Sequence, residues 1–191
     1  MMGLQMFSRK AVVLGDGNVA RAMAEDLGRS REMSVSVVAA ATLTDSEAVA
    51  SLVGDFDVVL NALPVDRALG ALRATIESKR PIADASTVAT EAQGLDARAV
   101  EMEVAACVGC GRDGLATLLG RNDLAVSGEG QDLESLDARI AAWMATAWAR
   151  RLLTGDFRGH WGVWTPERLG ARVGMRHAIL KDLGGRGIHV T

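Results

Sequence analysis

Surplus positive charge is the first thing missing from this sequence. Twenty-one Lys and Arg stand against 24 Asp and Glu, a net charge of −3, so no basic field marks nucleic acid or an anionic membrane as a partner. No apolar run reaches the roughly 20 residues that span a bilayer. Met1–Lys10 also lacks the apolar centre of a secretory signal, and the cytoplasm is therefore the expected compartment. The three histidines are scattered at positions 160, 177 and 189, and only two cysteines occur, Cys107 and Cys110. No second Cys or His pair stands at ligand spacing, so no metal site is expected. The Cys-Val-Gly-Cys pair reads either as a redox pair between a strand and a helix or as two small residues at a strand end. Internal repeats and low-complexity tracts are absent too. What is present, 49% hydrophobic and 24% charged residues over 191 positions, is the composition of a globular chain with one core.

The hydrophobic pattern alternates between strand and helix. Ala11–Gly15, Ser34–Ala41, Asp57–Leu63, Pro81–Ala85 and Glu103–Val108 read as strands. Helices are expected over Asn18–Gly28, about Thr44–Val53, Asp66–Ser78, about Thr90–Met102 and Asp113–Leu119. Five such units with short links imply an α/β fold, a doubly wound parallel sheet of Rossmann-like type covered on both faces. After Ala125 the polar link VSGEGQD precedes a long helix, Leu133–Leu153, in which Leu133, Leu136, Ile140, Trp143, Met144, Ala147 and Trp148 fall at helical spacing. The expected division is a dinucleotide-binding domain over residues 1–126 and a C-terminal helical segment over 127–191. The apolar stripe is wider than one contact needs, and the surface expected to cover part of it is a second copy of the chain, giving a homodimer through this helix.

Chemistry enters at VVLGDGNVARAMAEDLG, residues 12–28. Gly15-Asp16-Gly17-Asn18-Val19-Ala20 is a GxGxxA pattern between an apolar strand and a helix. Gly15 permits the tight turn, Gly17 lets a pyrophosphate approach the backbone, and Ala20 lets helix and strand pack closely. The helix amino terminus offers free N–H groups and a partial positive charge to the phosphates. NAD or NADP is the implied cofactor. At the end of the second strand, where an acid usually binds the adenosine ribose, the sequence has Ala39-Ala40-Ala41-Thr42. Thr42 is the one hydroxyl there, and neither an acid nor a cation discriminates between NAD and NADP.

Three later segments are NALP (Asn61–Pro64), DAS (Asp84–Ser86) and GCGRDGLATLL (Gly109–Leu119). With the opening turn, and in this order, the chain resembles the saccharopine dehydrogenase and reductase-like family. That family's cofactor domain has a GxGxxG/A turn, an N-A-x-P corner, a D-x-S strand end and a GCGxDPG stretch. The tail segments GVWTPERLG and GRGIHV resemble the family's closing segment, which returns to the cofactor domain. The resemblance implies that Gly15, Gly17, Asn18 and Val19 touch the pyrophosphate. It implies that Asn61, Ala62, Leu63 and Pro64 border the nicotinamide ribose, and that Asp84, Ser86 and Cys110 lie near the nicotinamide. The bland reading of the same residues is a turn-forming Asn-Pro corner and a helix-capping Asp or Ser.

Two departures from the family shape the expected function. The chain reads Gly111-Arg112-Asp113-Gly114 where the family has a proline, and residues 126–159 stand where the family carries a large substrate domain. Hydride transfer needs a substrate held against the nicotinamide with water excluded. The expectation is an NAD(P)-binding protein, catalytically reduced or inactive on its own. The alternative is a compact oxidoreductase for an amino or imino acid, completed by a second protomer whose Arg150 or Arg151 reaches the crevice.

Overall fold

A computed structural model describes residues 8–121, 124–128 and 133–190. Residues 1–7 of the segment read for a signal, residues 129–132 of the polar link and the side chain of Leu133 lie outside the described residues. The chain begins with β1 (Arg9–Leu14), α1 (Asn18–Gly28), β2 (Met33–Val38), α2 (Ser46–Val53), β3 (Val58–Asn61) and α3 (Val65–Glu77). It continues with β4 (Ile82–Asp84), α4 (Ala89–Ala92), α5 (Asp96–Glu101), β5 (Ala105–Cys107) and α6 (Arg112–Leu119). The remainder is β6 (Val126–Gly128), α7 (Leu133–Thr154), β7 (Gly162–Trp164), α8 (Pro166–Gly170), α9 (Met175–Gly184) and β8 (Ile188–Val190).

Six strands make one parallel, Rossmann-like sheet in the order β2-β1-β3-β4-β5-β7. Strand residues alternate between its two faces. Ala11, Val13, Val58, Leu60 and Ala83 join the core shared with α1, α6 and α7. Val12, Leu14, Val59 and Ile82 join the core shared with α2, α3 and α5. Burial on both faces explains why β1 and β3 read as unbroken apolar runs. At the sheet edge β2 is different, with Ser34, Ser36 and Val37 exposed.

Three boundaries differ from the sequence reading. The second strand stops at Val38 rather than Ala41, because Ala40–Thr42 form a 3-10 turn in which the Ala39 carbonyl accepts from both the Thr42 N–H and the Thr42 hydroxyl. The helix expected over 90–102 is broken by a 3-10 turn at Gln93–Leu95, which contains Gly94. The sheet has a sixth strand, β7, supplied by the GVW of the tail, and β8 pairs antiparallel with β6.

The long helix α7 runs under the sheet beside α1 and against β3, β4 and β5. Residues 140–149 are buried on every side, Trp143 at 3% and Trp148 at 0% exposure. Its wide stripe is covered within one chain, by the sheet on one side and by α1, Ile179, Leu183 and Ile188 on the other. The apolar stripe therefore gives no reason for a second protomer.

Candidate functional site at the carboxyl edge of the sheet

In this order, β1 lies between β2 and β3, so the chain leaves β1 to one side and returns on the other. The crevice outside the strand ends at such a crossover is where open α/β sheets bind ligands. The turn Gly15-Asp16-Gly17 sits there. Gly15 has φ +120°, and a Cβ on it would stand 2.5 Å from the Ala62 carbonyl oxygen. The Ala62 N–H in turn donates to the Leu14 carbonyl at 2.9 Å. The GxGxxA turn and the NALP corner are thus two halves of one backbone contact.

Gly17 precedes α1 with no side chain capping the helix, and a Cβ there would have nothing within 4 Å. An open space over an uncapped helix amino terminus is what a pyrophosphate requires. Asp16, Gly17 and Asn18 are exposed, Val19 is half-buried and Ala20 is fully buried against the strand. The Asn18 Oδ1 accepts from the Arg21 guanidinium, which places a cation one turn into the helix.

At the end of β3, Asn61 is fully buried and its amide is used inside the protein. Its Nδ2 donates to Asp84 Oδ2 at 2.8 Å and to the Ala68 carbonyl at 3.1 Å, while its Oδ1 accepts the Leu63 N–H at 3.2 Å. Pro64, exposed, then starts α3. Leu63 is buried and Ala62 half-buried. Asp84, at the end of β4 and also fully buried, accepts four hydrogen bonds: Asn61 Nδ2, the Thr87 hydroxyl at 2.7 Å, and the N–H groups of Thr87 at 2.7 Å and Ser86 at 2.8 Å. Burial pushes its carboxyl above the ordinary value of 3.8, against those four donors. Ser86 is half-buried beside it. The Cys110 N–H donates to the Asp84 carbonyl oxygen at 3.2 Å, so the three strand ends are laced together.

Both cysteines are free and buried. Burial raises the Cys107 thiol, and burial together with nearby Cys107 and Asp84 raises Cys110, the opposite of a redox-active thiol. Gly114 stands where the family's proline is lacking, and a Cβ there would already be 1.8 Å from the Gly109 carbonyl oxygen. No group of three or more His, Cys, Asp or Glu side chains able to hold a metal occurs among the described residues. No helix among them is long and apolar enough to cross a membrane.

Thr42 is exposed on the 3-10 turn beyond β2. The same turn receives Arg67 from α3, whose Nη1 donates to the Ala40 carbonyl at 2.8 Å. A cation therefore does reach the end of β2, from a position 27 residues away that local sequence reading does not connect to it. Arg150 and Arg151, expected to serve a partner's crevice, are held at home by Asp26 and Asp182, each at 2.9 Å.

No protein-family model and no curated protein matches the chain. Among solved structures, apo saccharopine dehydrogenase (L-Glu forming) from Saccharomyces cerevisiae matches with a TM-score of 0.53 at 18% identity, over 59% of this chain and 30% of that one. That likeness shows the fold. DAP dehydrogenase of C. glutamicum in complex with DAP has a TM-score of 0.43 at 15% identity, over 63% of this chain and 43% of that one. An engineered D-amino acid dehydrogenase bound to NADP+ has a TM-score of 0.41 at 16% identity, over 62% and 44%. At these scores the last two carry no argument. The chain spans less than half the length of each of the three.

Proposed function

We propose that this chain is a saccharopine dehydrogenase-like NAD(P)-binding protein, holding the dinucleotide through its pyrophosphate at the β1–α1 turn and not transferring hydride on its own. The observation that carries the reading is Gly17: an open, uncapped helix start at the crossover of a Rossmann-like sheet, with Gly15 locked against Ala62 behind it. Gly15, Gly17, Asn18 and Val19 hold the phosphates. Ala62, Leu63 and Pro64 border the nicotinamide ribose, with Ser86 beyond them. Thr42 and Arg67 flank the adenosine ribose, and Arg67 favours NADP by its charge. A bound nicotinamide dinucleotide supplies a hydride donor or acceptor.

The inactive half of the reading rests on what the crevice groups are already doing. Asn61 and Asp84 spend their polar atoms on one another and on the backbone, and Cys110 is a buried thiol. In this role Asn61 and Asp84 position the ribose-bordering corner rather than touch the cofactor. The reading of a compact oxidoreductase completed by a second protomer loses its cations, because Arg150 and Arg151 are engaged within the chain. Calorimetric titration with NADH and NADPH tests the proposal. Wild-type protein binds, Gly17→Val abolishes binding by filling the phosphate approach, and no cofactor turns over with amino or imino acids. Undiminished binding by Gly17→Val contradicts the site, and turnover contradicts the inactive half.

A further inference from the structure

Beside the phosphate turn, a groove of about 440 Å³ runs along the line where α1 packs on α7, with Asn18, Arg21 and Glu25 on the α1 wall and Ser135 and Arg139 on the α7 wall. A second cavity of about 410 Å³ continues it along α1, sharing Ala22, Glu25 and Arg139, and takes in Trp143 and Arg186. The groove thus starts at Asn18, the first residue of the helix whose amino terminus is open.

Its charges divide into settled and unsettled. Arg186 is bound by Asp26, which also holds Arg150. Among the described residues Arg21 has only the neutral Asn18 amide oxygen as a partner. Arg139 is half-buried and has no hydrogen-bond or ion-pair partner among the described residues. Glu25 is exposed and lies on the same wall. Deeper in, Trp143 is 3% exposed and its indole N–H has no acceptor among the described residues. A half-buried guanidinium and a buried N–H, both short of acceptors, call for an occupant rich in acceptors and negative in charge. Arginine's planar donor fork suits phosphate oxygens in particular.

We infer that Arg139, together with Arg21, clamps the diphosphate of the dinucleotide from the α7 side, closing over the turn at Gly15–Val19. The identity of the anion rests on the function proposed above; the groove and its unpaired donors do not. The clamp gives the long helix a part in binding, and it lets a cation reach the cofactor site from within a single chain.

The test is a calorimetric comparison of wild type, Arg139→Met, Arg139→Lys and Arg21→Gln, titrated with NADH, with NADPH and with inorganic pyrophosphate alone. Thermal melts of the ligand-free proteins confirm folding. Arg139→Met is expected to weaken all three ligands by about tenfold, as loss of a charge-assisted contact does, with part of the loss restored in Arg139→Lys. Pyrophosphate should compete with the dinucleotides. Unchanged affinity in a folded Arg139→Met that still binds NADH overturns the clamp and leaves the dinucleotide site standing. Pyrophosphate binding that needs Arg139, without any dinucleotide binding, keeps the anion clamp and overturns the proposed function. Absence of binding by every ligand overturns both.

Discussion

Gly15 and Gly17 are two residues apart and do different work. At Gly15, φ of +120° and an Ala62 carbonyl oxygen 2.5 Å from any Cβ leave no side chain a place. Gly15→Ala is expected to lower stability by about 2 kcal/mol or more, read from the urea midpoint. Gly17 has φ −74° and empty space around it, so Gly17→Ala should move that midpoint by less than about 1 kcal/mol while weakening dinucleotide binding. The sequence motif pointed to both glycines through the phosphate. It could not show that Gly15 answers to a backbone oxygen 47 positions on, since nothing local records that contact. Asn61 and Asp84 teach the same lesson in reverse. Their place at strand ends was legible, whereas their mutual hydrogen bond, which turns them inward, appears only once β3 and β4 are neighbours. The buried, protonated thiols predict that a maleimide modifies Cys107 and Cys110 far more slowly in the native protein than in denaturant. Equal rates would restore the redox reading of the pair.

Among the elements, α7 packs against α1, α6 and the strands β3, β4 and β5, and Asp26 fastens it. The carboxylate on α1 accepts from the Thr146 hydroxyl at 2.6 Å and from Arg150 of α7 at 2.9 Å, and it binds Arg186 before β8 through both oxygens. Burial alone would raise its pKa; Thr146, Arg150 and Arg186 outweigh that and hold it below the ordinary 3.8. A depressed folded-state pKa adds stability above the unfolded value, which is lost as pH falls through the folded one. Asp26→Asn should therefore destabilise by about 2 kcal/mol at neutral pH, with the gap to wild type narrowing below about pH 4. Parallel denaturation curves across that range check it, and a gap independent of pH would contradict the assignment. Trp148→Ala, removing a fully buried ring, is expected to cost about 3–5 kcal/mol. Long periodic elements such as α1 and α7 were legible to within a residue or so. The three-residue strands β6, β7 and β8 were not, whereas β4 and β5, equally short, were legible because each lies in a longer apolar stretch between two helical patterns. The Ala39–Ala41 run extended the second strand on paper because alanine marks no turn, and the Thr42 and Arg67 contacts that bend it are made by side chains.

Over the whole molecule, the order β2-β1-β3-β4-β5-β7 leaves a single strand beyond β1, where the usual dinucleotide order has two. In the proposed binding mode the adenosine end of the cofactor would accordingly meet an edge strand, near Thr42 and the Arg67 that donates to the Ala40 carbonyl, and the pyrophosphate at the β1–α1 turn would bear most of the binding. Alternating strands and helices made the layered architecture readable. The burial of Trp143 and Trp148 within one chain was not readable, since helical spacing shows that a stripe is covered without showing by what. The most direct test of the pyrophosphate-centred site is a backbone amide NMR titration of the wild-type protein with NADH. The expected result is that the largest shifts fall on Gly15, Gly17, Asn18 and Val19, with smaller ones at Ala62 and Leu63, and that all of them vanish in Gly17→Val. No shifts at saturating NADH, or shifts clustered away from the carboxyl edge of the sheet, would contradict it.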